Sequence, residues 1–428
     1  MGRESSTKSA SLVKDSINHI ISSALNSGVK TIHIEPSSNF ILVRFRRGTK
    51  LEVVNKLPRS NAKEFSIQFK KMANLDSSKT SIPQYGFTKL EVAKKLHEFQ
   101  VVTSPVIGGE KITIDIIDDV NRSVTLDKTG LWGRGLSLVE QVLATNHGLI
   151  LITSPGLKPA QDLISLMLGT LISPTHQLVY FGSAVKSIPK SVVTEDADNL
   201  TEKLKALVIG KYSIIGVGLV NSSALASQIN DLVIKNQHVM AVLPASSVLG
   251  ALSFWRQMVD GPLLPPFVIN LQMVASLCDN CKQSYVPSVI EEIQLVSNFH
   301  IDNPSVMKDL HALESLAIKA GLGGSVESST STKKILKLWR RDPAGCSHCN
   351  SSGYGQDIGI FEVLSPSDNL ITELNHKGSV SKLQDIALSE GFISLKTDAL
   401  VKALRGLIDF KTLISLSSTK NWADLTGL

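Results

Sequence analysis

The four cysteines of this sequence carry its clearest chemical signal. Cys278-Asp279-Asn280-Cys281 and Cys346-Ser347-His348-Cys349 form two Cys-x-x-Cys pairs, and together they use every cysteine in the chain. Such spacing lets a tight turn present two thiolates to one ion, and two such turns supply a tetrahedral shell. Four thiolates favour zinc and leave no open coordination position, so the predicted site at Cys278, Cys281, Cys346 and Cys349 is structural, not catalytic. An iron–sulfur cluster is the alternative centre, and four unrelated buried thiols is the bland one. A metal here pins the ends of a long insertion and contributes folding free energy on the order of 10 kcal/mol. The insertion contains a polar stretch, Gly321–Thr332, read as a flexible loop. His33 stands between isoleucines with no other ligand type spaced around it, and is read as structural.

The elements that position these residues follow from periodicity. Ser9–Ser27 repeats apolar residues at helical spacing, and Phe65–Ala73 is helical again. Strands are predicted at Thr31–Ile34, Phe40–Arg44, Leu90–Val102 and Lys111–Ile117, with turns at Pro36–Asn39 and Ile107–Gly109. This is an α+β module ending near Asp118. A polar stretch, Asp118–Gly135, separates it from apolar runs at Leu149–Ile152, Leu178–Phe181, Ser213–Val217 and Val239–Leu243. Helices starting near Pro159, Asp198, Ser223 and Val248 alternate with these runs, which predicts a parallel sheet covered on both faces. Beyond Cys281 the pattern turns helical, with a last helical region from Ser379 to Leu416.

Composition narrows the class. The 428 residues call for two or three domains, and 43% hydrophobic residues suffice to build their cores. A net charge of +6 is a mild excess that fits a solvated surface or work beside an anionic partner. Aromatics make up only 5%, which argues against base stacking. The first twenty residues are polar and charged and give no signal peptide; the opening Met-Gly-Arg-Glu-Ser-Ser matches a myristoylation pattern too short to carry weight. Pro262–Cys278 is the most apolar segment, yet it holds Asn270 and Gln272 and reads as core. A soluble, cytoplasmic protein with at most peripheral membrane contact is expected.

The second cysteine pair continues as Asn350-Ser351-Ser352-Gly353-Tyr354 and then Gly359-Ile360-Phe361-Glu362-Val363-Leu364. This closely resembles the zinc segment of the type II secretion and type IV pilus assembly ATPases. Ile32–Pro36, Val43–Arg46 and Ser104–Lys111 resemble the start and end of that family's second N-terminal domain, and His147–Thr153 resembles the strand that feeds its phosphate loop. The resemblance covers nearly the whole chain and lacks the extra N-terminal domain of many relatives. It implies an N-terminal α+β domain (1–118), a linker (119–135) and a RecA-like P-loop NTPase-type α/β domain (136–277). A zinc-binding tetracysteine region (278–364) and a helical C-terminal region (365–428) follow.

Where the resemblance places catalytic groups, this sequence has others. The family's Gly-Pro-Thr-Gly-Ser-Gly-Lys-Ser loop, whose backbone and lysine hold phosphates and whose last serine binds magnesium, falls on Ser154, Pro155, Gly156, Leu157, Lys158, Pro159, Ala160 and Gln161. Leu157 resists a positive φ, Pro159 lacks a backbone donor, Ala160 replaces the lysine, and Asp162 adds negative charge. The acidic pair falls at Gly182 and Ser183, and the second acidic motif at Gly218–Ser222, with Leu219 in the acidic position. The histidine box lies near Leu243–Ser247 and holds no histidine, while the N-terminal arginines fall at Phe87, Gln100 and Asp115. Lys158, two places early, is the one residue that could reach a phosphate in a rearranged loop.

Neither ATP nor magnesium is therefore expected as a cofactor, and zinc is. The reading is a pseudo-ATPase, a non-catalytic subunit or regulator of a pilus or secretion motor. The resemblance implies a hexameric ring, homo- or hetero-oligomeric, with an active paralogous ATPase and an inner-membrane platform protein as partners. A divergent active ATPase of the same family is the alternative. A zinc-stabilised nucleic-acid binder, suggested by a pI near 9.0, is the alternative of another class; few aromatics and a lack of basic clusters speak against it, and no nucleic-acid partner is expected.

Overall fold

The computed structural model describes residues 2–29, 31–47, 50–117, 125–173, 176–182, 192–195, 200, 202–204, 212–259, 264–376 and 380–417. The chain divides into two compact units, Met1–Arg122 and Ser123–Leu428.

The first unit is an α+β module. Helix α1 (Gly2–Asn26) leads to β1 (Thr31–Pro36), β2 (Phe40–Arg47) and β3 (Lys50–Pro58); α2 (Ala62–Met72) precedes β4 (Gln84–Val92), β5 (Lys95–Val106) and β6 (Gly109–Ile117). The strands form one antiparallel sheet in the order β3-β2-β1-β6-β5-β4. Alternate strand residues point to one core: Ile32, Ile34, Val43, Phe45, Ile112 and Ile114 meet Ile17, Ile21 and Ala24 of α1 and Phe65 and Phe69 of α2. The single strand expected over Leu90–Val102 is instead the end of β4, a turn and the start of β5. Ala93 and Lys94 turn the chain at φ of 53° and 64° between paired Val92 and Lys95. That backbone is usually marked by Asn-Gly, and no such residues announce it here.

The second unit is built on a seven-stranded sheet. Its strands are β7 (Gly148–Thr153), β8 (Leu178–Phe181), β9 (Val193–Glu195), β10 (Ile214–Val217), β11 (His238–Val242), β12 (Phe267–Leu277) and β15 (Tyr354–Leu364), in the order β15-β12-β7-β11-β10-β8-β9. All neighbours are parallel except β12 and β15. Helices α3 (Gly133–Leu143) and α4 (Leu157–Thr170) cover one face, where Ile150, Ile152, Tyr180, Met240 and Val242 point; α5 (Ser223–Ile234) and α6 (Val248–Met258) cover the other, where Leu149, Leu151, Val179, Val239 and Ala241 point. The doubly covered parallel sheet expected from the short apolar runs is thus present. The helix expected near Asp198 falls largely outside the described residues. Leu126, Leu131 and Trp132, within the stretch expected as a linker, are buried in the second unit's cores.

Between β12 and β15 the chain inserts a small hairpin, β13 (Gln283–Tyr285) with β14 (Leu338–Arg340), and two helices, α7 (Val289–Phe299) and α8 (Pro304–Lys319). After β15 come α9 (Asp368–Asn375), α10 (Val380–Ser389), α11 (Leu395–Leu404) and α12 (Phe410–Ser417). Leu295, Met307 and Leu310 of the insertion share one core with Leu400, Leu404, Leu413 and Leu416. No helix among the described residues is long and apolar enough to cross a membrane.

Candidate functional site

The sheet itself brings the cysteine pairs together. Leu277 at the end of β12 is the register partner of Tyr354 at the start of β15. Cys278 follows the first strand and Cys349 shortly precedes the second, so residues far apart in sequence meet at one corner of the sheet. The Cys278 carbonyl accepts from Cys281 N at 3.3 Å and Lys282 N at 2.9 Å, which makes the first turn. The second turn needs Gly345 and Gly353, at φ of 64° and 74°; a Cβ on Gly353 would lie 2.7 Å from the Asp342 carbonyl oxygen.

All four sulfurs lie within 4.8 Å of one another. Cys278 and Cys346 are separated by 3.8 Å, Cys281 and Cys349 by 3.8 Å, and Cys346 and Cys349 by 3.7 Å. A tetrahedron of sulfurs each about 2.3 Å from a central zinc has edges of about 3.8 Å. The spacing fits one tetrahedral ion, whereas an iron–sulfur cluster would set the thiolates on separate irons and farther apart. Burial pushes the Cys349 thiol up, but backbone N–H donors from Cys346 and Gly353, each 3.2 Å from Sγ, outweigh it and hold the thiol down near about 6. No such donor to Cys281 stands among the described residues, and burial with its sulfur neighbours raises it to about 12.

The polar stretch Gly321–Thr332 is not the flexible loop expected. Glu314 of α8, fully buried, accepts from Ser329 N at 2.6 Å, Thr330 N at 3.0 Å and Thr330 Oγ1 at 2.6 Å. Arg405, also buried, donates to the carbonyls of Leu322 at 3.0 Å, Glu327 at 2.9 Å and Ser325, and lies 3.5 Å from Glu314. The serines and threonines that read as loop formers serve as internal donors.

At the would-be phosphate loop, only Ser154, Pro155 and Gly156 separate β7 from α4. Gly156 caps the helix in an extended conformation, φ −116° and ψ 139°, so no left-handed residue curls backbone donors inward. Lys158 points along α4 to Asp162, with Nζ 3.3 Å from Oδ2. Pro159 and Ala160 lie in the first turn, and Ala160 is buried. Gln161 is also buried; its amide donates to the Gly218 carbonyl at 3.1 Å, tying α4 to the end of β10. The fully buried Tyr180 ring lies across the ends of β8 and β10. A Cβ on Gly216 would stand 2.9 Å from Tyr180 Cδ2, one on Gly182 would stand 2.7 Å from its phenol oxygen, and one on Gly218 would be closer still. Gly182, in the acidic pair, and Gly216 and Gly218, at the end of β10, thus make room for a tyrosine. Leu219 is half-buried, and Ser183 lies outside the described residues.

A second buried group escaped sequence reasoning. Glu362 of β15 accepts from Val248 N at 3.1 Å and Leu395 N at 3.0 Å, the first residues of α6 and α11. Asn270 donates to it at 3.2 Å and to the Ser246 carbonyl at 3.1 Å, and accepts from Thr153 Oγ1 at 2.9 Å. Burial raises the Glu362 pKa against these donors. The signal was Asn270, a polar residue within the most apolar run. Ser247 of the histidine-box stretch caps α6 by accepting from Gly250 N. In the first unit, Phe87, Gln100 and Asp115 are successive cross-strand partners, so the register places the three arginine positions in one row. Asp115 accepts there from Thr31 Oγ1 at 2.7 Å.

A basic cluster does exist, contrary to expectation: Lys333, Lys334, Lys337, Arg340 and Arg341 fall within nine residues. Its aromatic faces are already occupied, with Lys282 and Lys337 over Trp339 and Arg340 over Tyr285. His238 is buried at the start of β11. Burial, with His147 and His176 nearby, outweighs a backbone hydrogen bond at Thr145 and lowers its pKa to about 4. An unfolded histidine titrates near about 6.5. Stability should therefore be full above that pH and fall by on the order of 3 kcal/mol as pH drops to about 4. Urea unfolding from pH 7 to 4 checks this, and His238→Phe should flatten the profile.

The sequence profile of the family described as "Type II/IV secretion system protein" matches residues 6–156. The type IV pilus assembly ATPase PilB of Pseudomonas aeruginosa is 26% identical over 406 residues, covering 91% of this chain and 65% of that protein. The chain thus spans just under two thirds of the length of that relative. Type II secretion system protein E of Pectobacterium carotovorum is 23% identical over 410 residues, covering 94% and 75%. Among solved structures, the Legionella pneumophila ATPase DotB aligns with a TM-score of 0.54 at 12% identity, covering 93% of this chain and 95% of that one. The pilus retraction motor PilT with bound ADP aligns at 0.51 and 11%, covering 94% and 97%. At such identities the structures show a common fold.

Proposed function

We propose that this chain, which belongs to the type II secretion and type IV pilus assembly ATPase family, serves such a motor as a non-catalytic subunit or regulator. The observation that carries this is the filled cleft. Gln161 and Tyr180 occupy the space between α4 and the ends of β8 and β10, and the loop before α4 has no cradle. A hydrogen bond to a charged group contributes roughly 1.5–3 kcal/mol. Losing three or four phosphate contacts costs about 5–10 kcal/mol if additive, which moves a micromolar site to about the millimolar range or beyond. Without magnesium ligands or an acid to orient water at the aligned positions, phosphoryl transfer lacks its usual machinery there.

In this reading zinc bound by Cys278, Cys281, Cys346 and Cys349 stabilises the insertion. The protein takes a place in or on a hexameric ring at the cytoplasmic face of the inner membrane, beside an active paralogue and a platform protein. Subunit contacts bury apolar area that needs no bound phosphate, so an inert copy can hold a position in the ring. The second reading, a divergent active ATPase, draws on the identity to a named ATPase along 91% of the chain, and requires Lys158 to leave Asp162 for a phosphate. Co-expression with an intact paralogue tests the proposal. Copurification is expected, with pilus or secretion output lost in Cys346→Ser and kept in Gln161→Ala. Absence of copurification, with output lost in Gln161→Ala alone, would refute it.

A further inference from the structure

We infer that the outer face of α7 in the insertion is a docking site for a cationic amphipathic helix of a partner protein. Val286 is 76% exposed, Val289 72%, Ile290 71% and Ile293 62%. At about 100° per residue, Val289, Ile290 and Ile293 fall within one arc of roughly 100°, while Leu295, wholly buried, anchors the opposite side. A helix with one stripe in the core and a second in water is built for two partners, and the described residues supply only the first. The exposed stripe amounts to roughly 300 Å² of apolar side chain, as large as patches that mark interaction sites on monomers.

Size and charge select the occupant. Two copies of this stripe would bury far less than the roughly 800 Å² per partner of a stable dimer, and Glu292, exposed at the stripe's edge, would approach another Glu292. An anionic lipid surface meets the same acid. Helix α7 carries Glu291 and Glu292 and no lysine or arginine. Glu291 is engaged by Tyr285 and Ser288, and Arg340 is stacked on Tyr285 at the helix's start. The stripe covers about two turns, the contact length of a crossing helix. Apolar side chains flanked by basic ones match both features.

The test uses full-length protein and a synthetic helix of about 15 residues, leucine on one face and lysine on the other, read by fluorescence anisotropy. Its leucine–glutamate counterpart is the control. The lysine peptide should bind and the glutamate peptide should not, although the whole chain's charge of +6 favours the reverse. The double variant Ile290→Ser/Ile293→Ser, at exposed positions, should weaken binding at least about tenfold, and Glu292→Lys should weaken it several-fold. Equal binding of both peptides, or binding unchanged in both variants, would overturn the inference. So would a wild-type dimer in sedimentation that Ile293→Ser dissolves, or binding to anionic vesicles that the double variant abolishes.

Discussion

Cys278→Ser, or chelation of the metal, will release about one zinc per chain and collapse the insertion together with α11 and α12, which share its core. The segments around the cysteines are hydrogen-bonded to the chain that follows β15. Cys278 N donates to the Gly353 carbonyl at 3.1 Å, Leu277 N to the Leu407 carbonyl at 2.8 Å, and Lys282 Nζ to the Gly406 carbonyl at 3.0 Å. Trp339 Nε1 donates to the Leu404 carbonyl at 3.1 Å. Metal binding to such a shell contributes on the order of 10 kcal/mol, and it cannot be replaced by a short-loop hydrogen bond. Hydrogen exchange should show protection lost in α7, α8 and α11 and kept in β7 and β11, whose cores lie elsewhere. Protein without zinc by elemental analysis, and with wild type and Cys278→Ser melting alike, would contradict this.

The next largest effect is expected at a residue far from any chemistry. Arg405→Ala should cost about 3–5 kcal/mol in urea unfolding, because it strands buried Glu314 and leaves three loop carbonyls without donors. Arg405→Lys should not restore it, since an ammonium cannot span Leu322, Ser325 and Glu327 as a planar guanidinium does. Glu314→Ala should lose stability by a similar route, since Ser329 N would be left without its acceptor and Thr330 N with Ser328 Oγ alone. Arg405→Ala within about 1 kcal/mol of wild type would show that the loop does not depend on this network.

These two predictions mark where the sequence was legible. Local pattern was enough for four strands of the central sheet: Leu149–Ile152 and Leu178–Phe181 lie within or match β7 and β8, because a strand buried on both faces reads as a continuous apolar run, whereas β12 reads only as core and β15 falls in the stretch read as helical. Cysteine spacing alone proposed the tetrahedral shell, which the β12–β15 register then assembled. Edge elements were hidden. β3 exposes Leu51 and Val53 among charged residues and carries no clean alternation, and the Ala93-Lys94 turn uses residues that rarely take a positive φ. The Gly321–Thr332 stretch looked mobile because its partners, Glu314 and Arg405, are remote in sequence or on another helix. Tyr180 was equally silent, since a tyrosine in an apolar run reads as core until the glycines opposite it are seen.

The most direct test of the account is calorimetric titration of the purified chain with Mg-ATP, followed by phosphate release. No saturable binding up to about 1 mM and no released phosphate are predicted, for wild type and Gln161→Ala alike. Micromolar binding that Lys158→Ala abolishes, with phosphate released, would contradict it and establish a working ATPase with a rearranged loop.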